Sequence, residues 1–170
     1  YYDHLVSDGV LARCAPGARL VNVGKIGHGP QTAQHDIERL LVNAARAGHR
    51  VVRLKGGDPM LFGRGAEEAL ALEAAGVPFE IVPGVSSALA VPASAGIPLT
   101  ARGYASSVAI VTGHSLAGAP APIPSADTIV VLMGVSNAAA IRDQLIAVGL
   151  APSTPAAVVE WGTCDRQRAV

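Results

Sequence analysis

The chain has 170 residues, half of them hydrophobic, with 13 basic and 13 acidic side chains and no formal net charge. That size buries a real core as one or two small domains, and balanced charge without a Lys/Arg run excludes the basic stripe of a nucleic-acid binder. No apolar stretch approaches the ~20 residues that span a bilayer, so a membrane partner is not expected.

The opening residues, Tyr1-Tyr2-Asp3-His4, read as the tail of a strand already in progress, and Arg168-Ala169-Val170 stops inside an apparent strand. We therefore expect a piece of a longer polypeptide. Arg19–Val23 is strand-like and leads through Gly24-Lys25 into a Gly/His/Pro loop. From Gln31, Ile37, Leu40, Leu41 and Ala44 recur at i, i+3, i+4 and i+7, the apolar stripe of an amphipathic helix, with Gly48 as its C-terminal cap. A strand at Val51–Leu54 follows, then a glycine loop, a helix from Ala66 to about Ala75, and a strand at Phe79–Val82. Pro83-Gly84 breaks that strand before a small-residue helix, Ser86 to Ser94. The second half begins near Gly96-Ile97-Pro98-Leu99-Thr100. It gives a strand at Val108–Thr112, a Pro/Ala/Gly-rich stretch at Ser115–Ser125, a strand at Thr128–Met133, a helix at Asn137–Val148 and a strand at Ala156–Trp161. Strand–loop–helix repetition implies an α/β architecture with mostly parallel or mixed sheets flanked by helices. The expected domains are 1–100 and 101–170.

Cys14 and Cys164 form no CxxC and no metal-ligand spacing, and the five histidines are scattered, so no metal site is expected. Two unpaired thiols fit a reducing cytoplasm. High apolar content with low charge density predicts apolar surface to spare, hence a homodimer.

The chemistry concentrates where Val51-Val52-Arg53-Leu54-Lys55 runs into Gly56-Gly57-Asp58-Pro59 and then Phe62-Gly63-Arg64-Gly65. Paired glycines after a strand let a ligand approach bare backbone, and a carboxylate there accepts hydrogen bonds from an amine or hydroxyl. The same residues also suit a tight turn in which Asp58 only caps the next helix. In open α/β sheets ligands bind at the carboxyl ends of strands, and Lys25, Gly56–Asp58 and Gly84–Ser87 all lie at such ends. The standard nucleotide templates fail: Gly63-Arg64-Gly65 continues as Ala66-Glu67-Glu68, breaking GxGxxG, and GxxxxGK[ST] does not occur.

Val51–Gly65 (VVRLKGGDPMLFGRG), Val82–Ser87 (VPGVSS), Gly96–Thr100 (GIPLT), Val111–His114 (VTGH), Met133-Gly134 and the opening YDHLVS together resemble the uroporphyrinogen-III C-methyltransferase family. The resemblance runs through essentially the whole chain. It implies a two-domain tetrapyrrole methylase fold with its active site in the interdomain cleft, homodimerisation, and S-adenosylmethionine as cofactor, with S-adenosylhomocysteine as product. The implied reaction methylates two pyrrole carbons of uroporphyrinogen III in succession, giving precorrin-2 for sirohaem or cobalamin synthesis. The family's first strand and its glycine loop would precede Tyr1, and several strands would follow Val170. Ile26 stands where the family commonly has a basic residue, and the segment between His114 and Asp127 is shorter than the resemblance implies.

Carried over position by position, the resemblance gives the cofactor to Gly56, Gly57, Asp58, Leu61, Ser86, Ser87, Met133 and Gly162. It makes Asp3 a proton acceptor and Lys25 a proton donor. Each has a plainer reading: Met133 a core residue, Gly162 a turn, Ser86 and Ser87 helix caps, Asp3 a loop cap, Lys25 a solvated charge. The tetrapyrrole substrate carries eight carboxylates, for which Lys25, Arg64 and Arg102 are candidate cations, whereas Arg53 or Lys55 suit structural ion pairs. Two alternatives stay open: another precorrin or diphthine-type methyltransferase of the same fold, and an inactive S-adenosylmethionine-binding relative.

Overall fold

A computed structural model describes residues 1–24, 32–114 and 121–170. The chain divides into two compact units, Tyr1–Ser86 and Ser87–Val170. The division falls earlier than the expected one near residue 100, because the helix that opens the second unit packs against that unit's own strand.

In the first unit, the strand-like segments expected around residues 2, 22 and 53 come together as one narrow parallel ladder. Tyr2 sits between Asn22 and Leu54 and bridges both in parallel. Tyr2 N–H donates to Val21 O at 3.0 Å and Val23 N–H to Tyr2 O at 3.0 Å; on the other side Leu54 N–H donates to Tyr1 O at 2.8 Å and Asp3 N–H to Leu54 O at 3.2 Å. Each segment contributes a single bridge rather than a full strand. Helix α1 (Asp8–Leu11) is a single turn that no periodicity announces. Helix α2 (Gln34–Arg46) buries Ile37 and Leu41, one turn apart, while Leu40 of the expected stripe stays exposed. Gly48 takes a positive φ of 83° just past the Ala47 cap, as a helix-terminating glycine does. Helix α3 (Gly65–Ala74) packs on α2. Val23, Ile37 and Leu41 make the core, with Tyr1, Val21, Val51 and Leu72 packed around them.

The strand expected at Phe79–Val82 does not form as a regular strand. Residues 77–84 and 49–55, with Leu41 and Leu72, line a common cleft of about 660 Å³. Phe79, Ile81 and Val82 are exposed there, and among the described residues no segment pairs with theirs as a ladder needs.

In the second unit, helix α4 (Ser87–Ser94) precedes strands β1 (Val108–Thr112) and β2 (Thr128–Leu132), which pair in parallel from Val108↔Thr128 to Thr112↔Leu132. Parallel pairing requires a crossover between them. Ile123 of that crossover is buried with Val111 and Ile141, so the Pro-rich stretch contributes to the core. A 3₁₀ turn, Val135–Asn137, leads into α5 (Ala138–Ala147). The strand expected at Ala156–Trp161 shrinks to β3 (Val159–Glu160), which pairs antiparallel with β4 (Arg168–Ala169). The architecture is α/β with parallel and antiparallel pairings. No helix among the described residues is long and apolar enough to cross a membrane.

Candidate active site

The glycine loop leaves the ladder directly after Leu54-Lys55. Gly56 and Gly57 are exposed, and Gly57 adopts φ 70°. Asp58 Oδ1 accepts from Met60 N–H at 2.8 Å, the capping bond of a turn, and Oδ2 accepts from Gly84 N–H at 3.1 Å. A Cβ at position 84 would lie 2.2 Å from Gly57 O, so the two loops touch through bare backbone and only glycine fits at 84. Cβ atoms at Gly63 and Gly65 would meet Pro59 O at 2.7 and 2.4 Å. Phe62 and Arg64 sit in the left-handed region at φ 53° and 59°, which costs of order 1–3 kcal/mol each and is typical of functional loops. Asp58 is therefore a turn cap, and it also ties the glycine loop to the Pro83-Gly84 segment. Each of its oxygens keeps a second lone-pair site. Leu61 is partly buried, with its N–H 3.4 Å from Asp58 O; Ser86 is buried at the end of the first unit, and Ser87 is exposed at the start of α4.

Beneath this loop lies a cluster of buried charge. Arg53 and Lys55 alternate along the segment and so share one face. Glu68 on α3 accepts from Arg53 Nε at 3.1 Å, Lys55 Nζ at 3.0 Å and Gln34 Nε2 at 3.4 Å through a single oxygen. Arg53 Nη2 donates to Asp3 Oδ1, and Lys55 Nζ lies 3.8 Å from Asp3 Oδ2. Asp3 is thus an ion-pair member rather than a loop cap. Nearby Arg64 donates to Glu67 at 3.0 Å, and that carboxylate raises the guanidinium's pKa. Arg102 is exposed in a turn of the second unit, and Lys25 lies outside the described residues.

In the second unit, Met133 directly follows β2 with φ 57° and is exposed rather than part of the core. Its neighbour Gly134 meets Gly113 at the end of β1, where a Cβ on Gly113 would lie 2.4 Å from Gly134 Cα. Asn137 Nδ2 donates to Gly113 O at 2.7 Å, and Ser136 Oγ lies 3.3 Å from His114 Nε2. Gly162 is wedged against α4: a Cβ there would lie 2.5 and 2.6 Å from the two Val91 methyls. Its neighbours Trp161 and Thr163 are both left-handed, at φ 53° and 67°. Gln167 Oε1 holds this turn, accepting from Thr163 N–H at 2.6 Å and Ser94 Oγ at 2.7 Å.

The whole chain, residues 1–170, matches the model of the tetrapyrrole (corrin/porphyrin) methylases. It belongs to that family. Similar curated proteins include the sirohaem synthase of Neisseria meningitidis serogroup C (strain 053442), 47% identical over 98% of this chain and 36% of that protein. Another is the sirohaem synthase of Chromobacterium violaceum, 49% identical over 99% of this chain and 37% of that protein. The chain thus spans a little over a third of these relatives. Among solved structures, uroporphyrin-III C-methyltransferase from Thermus thermophilus, complexed with S-adenosylhomocysteine, superposes with a TM-score of 0.84 at 45% identity, covering 99% of this chain and 73% of that one. A cobalt precorrin-4 methyltransferase superposes with a TM-score of 0.81 at 26% identity, over 99% of this chain and 71% of that one.

Within this tetrapyrrole methylase, the first unit brings Asp58 onto Gly84 and places Gly56 and Gly57 beside them, with Asp3 over the charge cluster. Glu68 and Gln167 were not singled out from the sequence, whereas Gly84 was expected at a strand end and only its contact with Gly57 was not. Glu68 had a visible signal: two cations alternating in a segment flanked by helices demand a buried counter-charge. The roles of Gly84 and Gln167 rest on contacts 27 and 73 residues distant, to Gly57 and Ser94, and had no local signal.

Proposed function

We propose that this tetrapyrrole methylase is a uroporphyrinogen-III C-methyltransferase, using S-adenosylmethionine to methylate two pyrrole carbons in succession and yielding precorrin-2. The observation that carries the reading is the Gly57–Gly84 contact clamped by Asp58. It leaves exposed backbone at a strand end with no side chain to obstruct a ligand, which fits the polar amino acid and ribose parts of such a cofactor. Gly56, Gly57, Asp58, Leu61, Ser86, Ser87, Met133 and Gly162 are the residues to which the family resemblance gives the cofactor. The exposed thioether of Met133 suits an adenine face. When bound, the cofactor supplies an electrophilic methyl group. The chain's own work is then to align the pyrrole carbon, a matter of positioning, and to handle the proton that the macrocycle loses after methylation as conjugation is restored. Asp3 is the proton acceptor in this reading and Lys25 the donor; Arg64 and Arg102 offer cations to the substrate carboxylates. The higher identity to the uroporphyrin enzyme than to the precorrin-4 enzyme favours this acceptor. The active form is a homodimer, supported by exposed Leu89 beside the apolar hollow of Ala93, Ile97 and Leu99.

The test is turnover of uroporphyrinogen III by the full-length protein, followed by precorrin-2 absorbance, with calorimetry of Asp58→Ala. We expect product formation, and at least about a tenfold loss of cofactor affinity in the variant, or ~1.4 kcal/mol. Turnover of another precorrin or of a protein acceptor alone would sink the assignment. An Asp58→Ala affinity within about twofold of wild type would remove Asp58 from the site.

A further inference from the structure

Asp3 is held more rigidly than a proton acceptor at a loop end needs to be. Its N–H is tied to Leu54 O at 3.2 Å, and its two carboxylate oxygens face two different cations: Arg53 Nη2 donates to Oδ1, and Lys55 Nζ lies 3.8 Å from Oδ2. Arg53 is itself fixed through every nitrogen, since Nε donates to Glu68 Oε1 at 3.1 Å and Nη1 to Leu54 O at 3.1 Å. Lys55 is anchored on the same Glu68 oxygen at 3.0 Å. The cluster therefore holds two cations and two anions, which lowers the cost of burying it. Exposure is uneven within it: the side chains of Arg53, Lys55 and Glu68 are 12%, 7% and 6% exposed, whereas Asp3 is 28% exposed. The member most open to solvent is the one whose carboxylate plane the others fix.

We propose that Arg53 is a positioning residue for the methyl-transfer reaction: its guanidinium fork, braced by Glu68, sets the orientation in which Asp3 meets the substrate. The inference rests on the reading of Asp3 as the proton acceptor. It needs an arginine, because a planar fork addresses Asp3, Glu68 and a backbone carbonyl at once, whereas an ammonium is a point charge without fixed direction. The neighbouring glycine loop is a separate feature, so cofactor binding should not depend on Arg53.

The experiment uses the full-length enzyme turning over uroporphyrinogen III, with kcat, KM, cofactor affinity and thermal midpoint measured for Asp3→Asn, Arg53→Lys and the double variant. Arg53→Lys keeps the charge and loses the fork. It should lower kcat at least about fivefold while KM and cofactor affinity stay within about twofold. Added to Asp3→Asn, it should cost nothing further in kcat, because the group it orients is already gone. A merely structural arginine would give losses that multiply. Wild-type kcat in Arg53→Lys, or multiplying losses on top of a slow Asp3→Asn, overturns the inference alone. Wild-type kcat in Asp3→Asn overturns the reading of Asp3 and the inference with it. If Arg53→Lys does not fold, the pair Arg53→Gln with Glu68→Gln keeps the cluster charge-balanced and must show the same fall in kcat and the same absence of additivity.

Discussion

Glu68 in the first unit and Asp127 in the second perform similar structural work under opposite conditions. Each is a carboxylate that gathers several donors from distant segments. Glu68 does so in the interior, 4% exposed, with two cations and an amide on one oxygen. Asp127 does so in solvent: its Oδ2 accepts from the N–H and hydroxyl of both Ser106 and Ser107, at 2.9–3.0 Å, fastening the start of β2 to the start of β1. A buried carboxylate that balances buried cations is indispensable to them, because removing it strands charge in low dielectric. A solvated one competes with water at every bond, so its loss is cushioned. The first unit, which carries the glycine loop and Asp3, has thus placed its most fragile interaction under its candidate chemistry, whereas the second unit keeps its clamp outside.

The largest effect expected from this contrast is at Glu68. Glu68→Gln leaves Arg53 and Lys55 with Asp3 as their only carboxylate partner in the cluster, and breaking a buried pair in this way costs about 3–5 kcal/mol. Urea unfolding of the full-length protein, followed by circular dichroism, measures it. A loss below about 1 kcal/mol, the range of exposed pairs, would mean the cluster is wetter than its burial indicates and would erase the contrast with Asp127.

Much of this arrangement was legible in the sequence and some was not, for identifiable reasons. Helices announced by periodicity or small-residue runs appear near their expected bounds, α2 at Gln34–Arg46, α4 at Ser87–Ser94 and α5 at Ala138–Ala147, because helical hydrogen bonds are local. β1 forms over the expected Val108–Thr112 because β2 lies beside it in register. Phe79–Val82 is also strand-like in composition but has no such partner among the described residues, and composition cannot supply one. Ile123 lies in a Pro/Ala/Gly-rich stretch with no helix or strand pattern to mark it, yet it is a core residue. At the candidate site, each glycine was visible singly. That Gly84 presses on Gly57, and Gly162 on Val91, is three-dimensional information.

The second unit's own vulnerable point is that last contact. Gly162→Ala puts a methyl 2.5 Å from a Val91 methyl, and Val91 has little rotamer freedom with which to yield. Overpacking of this kind typically costs about 1–3 kcal/mol, less than stranding the cations at Glu68. Val91→Ala added to Gly162→Ala should recover most of the loss, although Val91→Ala alone destabilises; this is a sign reversal that a double-mutant cycle detects. If the two changes simply add, the close approach is not what selects glycine at 162.

The smallest effect, and the sharpest check on the comparison, is the pH dependence of the solvated clamp. The Ser106 and Ser107 donors, led by the Ser106 N–H, pull the Asp127 carboxyl down from 3.8 to about 2 in the folded protein. A folded-state pKa below the unfolded one means that the ionised form stabilises the fold, so the contribution is complete above the unfolded pKa and fades as protons bind on the way down. Asp127 should therefore stabilise β1–β2 fully above pH 3.8 and lose that contribution as pH falls toward about 2. The comparison is between wild type and Asp127→Asn, an amide of the same shape that cannot carry the charge. Their urea midpoints should differ by a constant amount near neutrality, with wild type the more stable, and the gap should close across that acid window. Full exposure limits its size, since water solvates the carboxylate in the unfolded chain as well. A gap that stays open at pH 2 would assign the advantage to shape or packing rather than to charge, and the parallel between Asp127 and Glu68 as charge-bearing clamps would fail on the Asp127 side.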